Sequence, residues 1–219
     1  MKRIEIIVEG QAESTFVSEV LAPYIYQQLG YNCLVTPILI HMGMSGGRGG
    51  FVNYLHLRND VLRSLQSQDP DLIVTTFVDY FRIPQSHMPE YDMWKDEQNH
   101  YSQVQMMEEA MGRDINDRRF VPYIQMHEFE ALLYSSLDGF NKYWKSENVD
   151  KIVDIKDRFA NPEDINKDPN GAPSKRLLAI NPSYNKVVEG NIIALEIGID
   201  KILDACPKFR GWIDVLLNK

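Results

Sequence analysis

The sequence predicts an α/β fold: a mainly parallel four-stranded sheet flanked by helices over residues 1–136, then a helical C-terminal extension over residues 137–219 packed on that core. Three observations predict it. The runs at residues 4–8, 33–40 and 72–78 are mostly apolar and do not alternate strictly with polar residues, broken only by Glu5, Thr36, Pro37, Thr75 and Thr76, as in strands largely buried on both faces. Segments with apolar residues at helical spacing separate them. After Leu137 the alternation of strand and helix stops, and only helical patterns follow.

Composition narrows the class. At 219 residues, 44% hydrophobic and 25% charged, the chain is ordinary globular sequence with ample material for a core. It contains no apolar run of about 18 residues, so no membrane span is expected. Met1-Lys2-Arg3 leads straight into a strand without a cleavable signal pattern. Cys33 and Cys206 are too few for a disulfide framework, so two buried free thiols in a reducing cytoplasm are expected. The net charge of -8 argues against a protein that merely coats nucleic acid. An enzyme whose clustered carboxylates hold metal stays compatible with it.

The first strand, residues 4–8, ends in Glu9, and Gly10 then leads to a helix carrying Glu13. A carboxylate at the end of a buried strand is costly unless a cation or donor meets it. In open α/β sheets, ligands sit at those strand ends. The alternative is that Glu9 caps the next helix. That helix covers residues 12–29, with Phe16, Val20 and Tyr24 on one stripe, a kink expected at Pro23 and Gly30 as its stop.

The second strand, residues 33–40, runs into a glycine-rich loop at residues 41–50 containing Arg48. Its backbone can approach a ligand closely, and its amides precede a helix over residues 51–66. It lacks the Gly-Lys-Ser/Thr ending of a Walker loop. Arg48 points to phosphate contact; a plain surface loop is the other reading. The third strand, residues 72–78, ends in Asp79, a second carboxylate at a strand end. Residues 80–96 read as a long loop, and residues 97–111 as a helix with Tyr101, Val104, Met107 and Met111 inside.

The fourth strand, residues 120–126, leads to His127-Glu128-Phe129-Glu130. At helical spacing His127 and Glu130 share a face and Glu128 points elsewhere. A metal-facing pair and a structural cap or ion pair both fit. Residues 138–159 are helical in pattern, and residues 167–173 form a loop. Ser174 then caps a helix whose first turn carries Lys175 and Arg176. Cations are disfavoured there by the helix dipole, which points to an anionic partner; solvated side chains are the alternative. Residues 184–198 and 199–217 read as two closing helices.

Glu9, Glu13, Asp79, His127, Glu128 and Glu130 thus come from three strand ends. Carboxylates that converge repel one another unless a divalent cation lies between them, and hard oxygen ligands favour Mg²⁺ or Mn²⁺. Such ions activate water and stabilise phosphoryl oxygens. With Arg48, His127, Lys175 and Arg176 as phosphate or substrate contacts, phosphodiester hydrolysis is the natural chemistry. The sequence lacks a Gly-x-Ser-x-Gly elbow and a Gly-x-Gly-x-x-Gly fingerprint, which argues against acyl transfer and dinucleotide binding.

The run Ile6-Ile7-Val8-Glu9-Gly10-Gln11-Ala12-Glu13, with a later strand ending in Asp79, resembles the TOPRIM domain. By that resemblance Glu9 matches the strand-one glutamate and Asp79 the first acid of Asp-x-Asp. Phe81 stands where the second acid belongs, so Glu128 or Glu130 must replace it, or metal binding is weakened. Over nearly the whole chain, the stretches Val8–Glu13, Thr76–Tyr80, Tyr123–Leu133, Pro162–Asn166, Ala172–Arg176 and Cys206–Trp212 resemble the bacterial domain-of-unknown-function family 4276 (DUF4276). That family is regarded as TOPRIM-like. Its members look like companions of ABC-type AAA ATPases, in the manner of the overcoming-lysogenization-defect nucleases.

The resemblance implies a metal-dependent nuclease effector of an anti-phage module, with Glu9, Asp79 and Glu130 (or Glu128) on metal and Glu13 as a further ligand. The competing expectation is a degenerate scaffold that binds an ATPase or nucleic acid. A phosphatase using the same metal site is a third. A homo-oligomer is left open by the sequence.

Overall fold

The computed structural model describes residues 1–41, 53–165 and 171–219. Arg48 and the glycine-rich loop beyond His41 lie outside the described residues. The sheet is built from β1 (Lys2–Val8), β2 (Cys33–Leu39), β3 (Leu72–Asp79), β4 (Phe120–Val121) and β5 (Ile124–Gln125). The order is β2-β1-β3-β4, with β5 also pairing to β3, and every pairing is parallel. The mainly parallel α/β sheet read from the sequence is present.

Burial of both faces explains the mostly apolar runs of β1 and β3. Ile4, Ile6 and Val8 face one core with Ile73 and Phe77, while Ile7, Val74 and Val78 face the other. Pro37 sits in β2, an edge strand, where a missing N–H costs no central ladder bond. The first core packs against α1 (Gln11–Phe16) and α2 (Ala22–Gln28); the second packs against α3 (Tyr54–Leu65) and α5 (His100–Ile115). So β1 connects outward to β2 over one face, and β2 returns to β3 over the other. The order in which strands are added reverses between the adjacent parallel strands β1 and β3. A crevice opens at the carboxyl ends of such strands.

Several elements depart from the sequence reading. The kink expected at Pro23 is a π turn at Val17–Leu21, and α2 starts with Pro23 in its first turn, where a missing N–H is harmless. The fourth strand is split in two. Pro122 cannot donate to the ladder, and the Thr76 hydroxyl substitutes: it accepts from the Tyr123 N–H at 2.9 Å and donates to the Tyr123 carbonyl at 2.7 Å. The expected loop at residues 80–96 contains short helical turns, including α4 (Tyr91–Trp94).

The rest of the chain is helical: α6 (Asp138–Tyr143), α7 (Ser146–Lys156), α8 (Pro173–Ile180), α9 (Asn191–Ile197), α10 (Ile199–Ala205) and α11 (Pro207–Asn218). Gly198, at φ 79°, separates α9 from α10, and Pro207 starts α11, so the two closing helices are three. Their apolar residues join the first core. Trp212 stacks on Tyr123 at 4.3 Å between centroids, and its indole N–H donates to Thr75 Oγ1 at 2.9 Å. Cys33 and Cys206 are free and buried. Among the described residues no helix is long and apolar enough to cross a membrane.

Candidate functional site: a carboxylate cluster at the strand ends

Glu9 follows β1 and Asp79 closes β3, so adjacent parallel strands deliver both to the crevice. A Glu9 carboxylate oxygen accepts from the Asp79 N–H at 3.3 Å. Asp79 itself accepts from the Phe129 N–H at 2.8 Å. Helix α1 begins at Gly10, and a Cβ there would lie 3.2 Å from a Glu13 oxygen. Glycine therefore gives Glu13 room to fold back toward the strand ends.

The segment after β5 contributes two more acids, by a route the sequence reading did not anticipate. His127 has φ 62°, the left-handed region, and Glu128 is extended; the 3₁₀ helix Phe129–Ser135 starts only afterwards. His127 and Glu130 therefore do not share a helix face. The left-handed residue turns the chain, and Glu128 joins Glu130 in lining a cavity of about 210 Å³ with Glu9, Asp79, Ser174, Leu178, Tyr184 and Lys186. His127 lines a different cavity of about 410 Å³, with Gln98, Asn99, His100, Tyr101, Met126 and Asp164.

At the centre stands a residue the sequence reading missed. The Lys186 ammonium lies 2.8 Å from Glu13 Oε1, 3.2 Å from Asp79 Oδ2 and 3.2 Å from Glu130 Oε2. It also sits 5.8 Å from the centre of the Phe129 ring. Lys186 opens a π turn, Lys186–Gly190, that the Asn185 side chain caps by accepting from the Val188 N–H at 3.0 Å. Asn191 fastens the next turn to α1, donating to the Ala12 carbonyl at 3.1 Å. Lys186 thereby comes to rest beside Glu13. The available signal was indirect: gathered acids require a cation, and Lys186 sits between Tyr184 and two valines rather than in a polar run.

The electrostatics follow from crowding. Burial raises the Asp79 pKa well above the ordinary carboxylate value; Lys186 pulls it down, while Glu13, Glu9 and Glu130 push it up. Burial raises Glu130 too, with Lys186 opposing and Glu128 adding to the rise. For Lys186, burial works against the charged form, but Asp79, Glu130 and Glu13 together outweigh it and hold the pKa well above that of an ordinary lysine. Two buried polar atoms here have no hydrogen-bond partner, Glu130 Oε2 and the Tyr184 hydroxyl. Glu130 Oε2 thus has its ion pair with Lys186 without hydrogen-bond geometry.

The donor set is all oxygen and carries excess negative charge, which suits a hard divalent cation. Among the described residues, no three acidic, His or Cys side chains are arranged around a metal position as they stand. The point where Glu13, Asp79 and Glu130 converge is taken by the ammonium. The chemistry of the set fits such an ion, and the present arrangement holds a lysine in its place.

The predicted phosphate contacts lie elsewhere. Ser174 does not cap α8; the helix is preceded by Ala172, and the Ser174 N–H donates to Glu128 Oε2 at 3.0 Å. Ser174 and Leu178 reach the cavity, whereas Lys175 and Arg176 do not line it. The Lys175 ammonium lies 6.0 Å from the Phe81 ring, and Arg176 donates to the Gly171 carbonyl at 2.6 Å and packs on Phe159.

A family described as Domain of unknown function (DUF4276) matches residues 8–217, and the chain belongs to that family. Among solved structures, the C-terminal region of the Burkholderia pseudomallei OLD protein is similar, at 14% identity over 100% of this chain and 98% of that one, with a TM-score of 0.48. The C-terminal region of the Xanthomonas campestris pv. campestris OLD protein, phased with mercury, is similar at 14% identity over 98% of both chains, with a TM-score of 0.39. No curated protein matches the chain.

Proposed function

We propose that this DUF4276 member is a Mg²⁺- or Mn²⁺-dependent, TOPRIM-type nuclease that hydrolyses phosphodiester bonds of DNA or RNA. One observation carries the reading: Glu9, Glu13, Asp79, Glu128 and Glu130 gather from separate segments at the point where the strand order of the parallel sheet reverses. Folding such a set together costs free energy that a cation offsets. In this reading Glu9, Asp79 and Glu130 form the catalytic set, and Glu13 and Glu128 complete the metal ligands. Glu128 and Glu130 take the place of the acid missing at Phe81.

A divalent ion bound there would activate water and neutralise charge on the phosphate. The chain's own part is orientation. Backbone N–H groups of Phe129 and Ser174 hold Asp79 and Glu128, and Glu9 is held against the end of β3. The cavity, at about 210 Å³, is smaller than the roughly 300–1,000 Å³ of pockets that engulf a small ligand. A polymer presenting one phosphodiester fits that size better than a whole nucleotide does. Lys175 and Arg176, on the helix that brings Ser174 to the cavity, contact the backbone outside it in this reading. His127 orients the segment that carries Glu128, and Arg48 remains a phosphate contact. The motif resemblance supports a cytoplasmic effector partnered by an ABC-type AAA ATPase in anti-phage defence.

The test is cleavage of single- and double-stranded DNA and RNA with Mg²⁺ or Mn²⁺, alone and with a candidate ABC-type AAA ATPase. Glu9→Gln and Asp79→Asn are expected to abolish metal-dependent cleavage while circular dichroism stays unchanged. Wild-type rates in Glu9→Gln would remove the assignment.

A second reading is favoured by Lys186: a scaffold whose site is neutralised by its own lysine and needs no metal. It predicts no change in melting temperature with Mg²⁺ or Mn²⁺, because only a ligand that binds the native state raises it.

A further inference from the structure

We propose that Lys186 is a built-in competitor for the divalent cation, so that metal enters the carboxylate site only as the Lys186 ammonium leaves it. The proposal rests on the reading above that this site takes a divalent ion, and it concerns how entry is controlled.

The geometry makes the two cations alternatives. Oxygens of Glu13, Asp79 and Glu130 converge on a single point, and the ammonium occupies it at 2.8, 3.2 and 3.2 Å. With the ammonium in place, the described residues present no set of three acidic, His or Cys ligands around a metal position. A divalent ion sharing those oxygens would stand within a few ångströms of a positive charge. Like charges at about 4 Å repel by roughly 4 kcal/mol per unit charge product at an effective dielectric near 20, so the pair would not coexist.

The ammonium also serves this site poorly as a permanent partner. One positive charge faces five carboxylates, and Glu130 Oε2 is buried without a hydrogen bond. An ion of twice the charge offsets more of the repulsion.

Lys186 has a way out. Its side chain is 32% exposed, whereas those of Glu13, Asp79 and Glu130 are 4%, 5% and 1% exposed. Its ammonium is enclosed by the three acids, but the partly exposed stem gives it a path toward solvent that the acids lack. It also opens a π turn rather than an α-helical one. Such turns carry an extra residue in the helical ladder and recur at functional positions. Backbone donors hold Asp79, Glu128 and Glu9, and Glu13 and Glu130 are more deeply buried than the lysine, so lysine is the movable member of the cluster.

The test compares the wild-type chain with Lys186→Met, using Mg²⁺ or Mn²⁺ alone as the probe. Met keeps most of the aliphatic length and removes the charge. Without metal, Lys186→Met is expected to melt below wild type, because its carboxylates have lost their cation. With metal it is expected to gain more in melting temperature, and to reach half-saturation in calorimetry at about tenfold lower metal concentration. A second measurement uses the unaltered protein: the lysine ε-methylene resonance of Lys186, followed by NMR, should move to the position of a solvated lysine as metal is added.

Equal metal affinity in the two proteins, or a Lys186 resonance that stays put while metal binds, overturns the competition and leaves lysine and metal side by side. Absence of metal binding to either protein overturns the metal reading itself, and the competition with it. If Lys186→Met does not fold, the wild-type resonance decides.

Discussion

The Glu128 carboxylate accepts a hydrogen bond from the Ser174 N–H at 3.0 Å, so the anion at the start of α8 is one of the chain's own acids. The contact joins the segment after β5 to a helix some 46 residues later. It places a carboxylate at the first turn of α8, the turn in which Lys175 and Arg176 follow Ser174.

Removing this contact should loosen α8. Glu128→Ala deletes the acceptor and is expected to cost about 1 kcal/mol, the usual value of a lost helix cap. Glu128→Gln keeps an oxygen in place and should cost less. Urea unfolding of the two variants, without metal, measures the difference. Equal losses would mean that charge, and not the hydrogen bond, holds the helix.

His127 should make the fold acid-sensitive. Burial first, then His100, lowers its pKa from 6.5 to about 4, against weaker opposing effects of Asp164 and the Glu163 backbone. The folded state therefore keeps it neutral where the unfolded chain protonates it. Its contribution is fully present above pH 6.5 and is lost as pH falls toward 4. By pH 5 the loss comes to about 2 kcal/mol. His127→Asn tolerates the left-handed backbone and should be less destabilised between pH 7 and pH 5. Chemical denaturation at the two pH values checks it.

Glu130 works in the opposite direction. Its carboxyl is raised in the folded state, chiefly by burial, so above its ordinary value of 4.5 the folded chain holds the proton more readily than the unfolded chain does. Stability from this group rises as pH falls from neutral toward that value. In the His127→Asn background, with chelator present, melting temperature should rise between pH 7.5 and 5.5. Adding Glu130→Gln should flatten that rise.

Gly139 is where α6 meets α9. A Cβ there would lie 2.6 Å from the Ile193 carbonyl oxygen, a backbone atom that cannot swing aside. Gly139→Ala is expected to cost about 1–3 kcal/mol by overpacking. Because α9 continues the turn that starts at Lys186, the variant should also disturb the ion pairs with Glu13, Asp79 and Glu130. A changed Lys186 resonance, alongside a lower melting temperature, would report both effects.

Much of the fold was legible because burial writes itself into local sequence. Strands buried on both faces are mostly apolar without strict alternation, as β1 and β3 are, and the edge strand β2 keeps enough of that pattern to be read. Glu9 and Asp79 were legible for the related reason that an acid ending such a run has no hydrophobic explanation. The errors fell where one backbone angle or one distant contact decided. The left-handed His127 cannot be read from helical spacing, and it is what sends Glu128, not His127, into the cavity with Glu130. At the split between β4 and β5, Thr76, far off in sequence, takes up the Tyr123 N–H and carbonyl beside Pro122, which has no N–H to donate.

The sequence by itself determined the parallel sheet, its two-faced core and the delivery of Glu9 and Asp79 to neighbouring strand ends, since each follows from hydrophobic pattern and strand geometry within a few residues. Only the tertiary structure decided that Lys186 closes the cluster. Its ammonium is placed by a capped π turn and by the tie from Asn191 to Ala12, 179 residues apart in the chain, and long-range packing of that kind leaves no periodic trace in sequence.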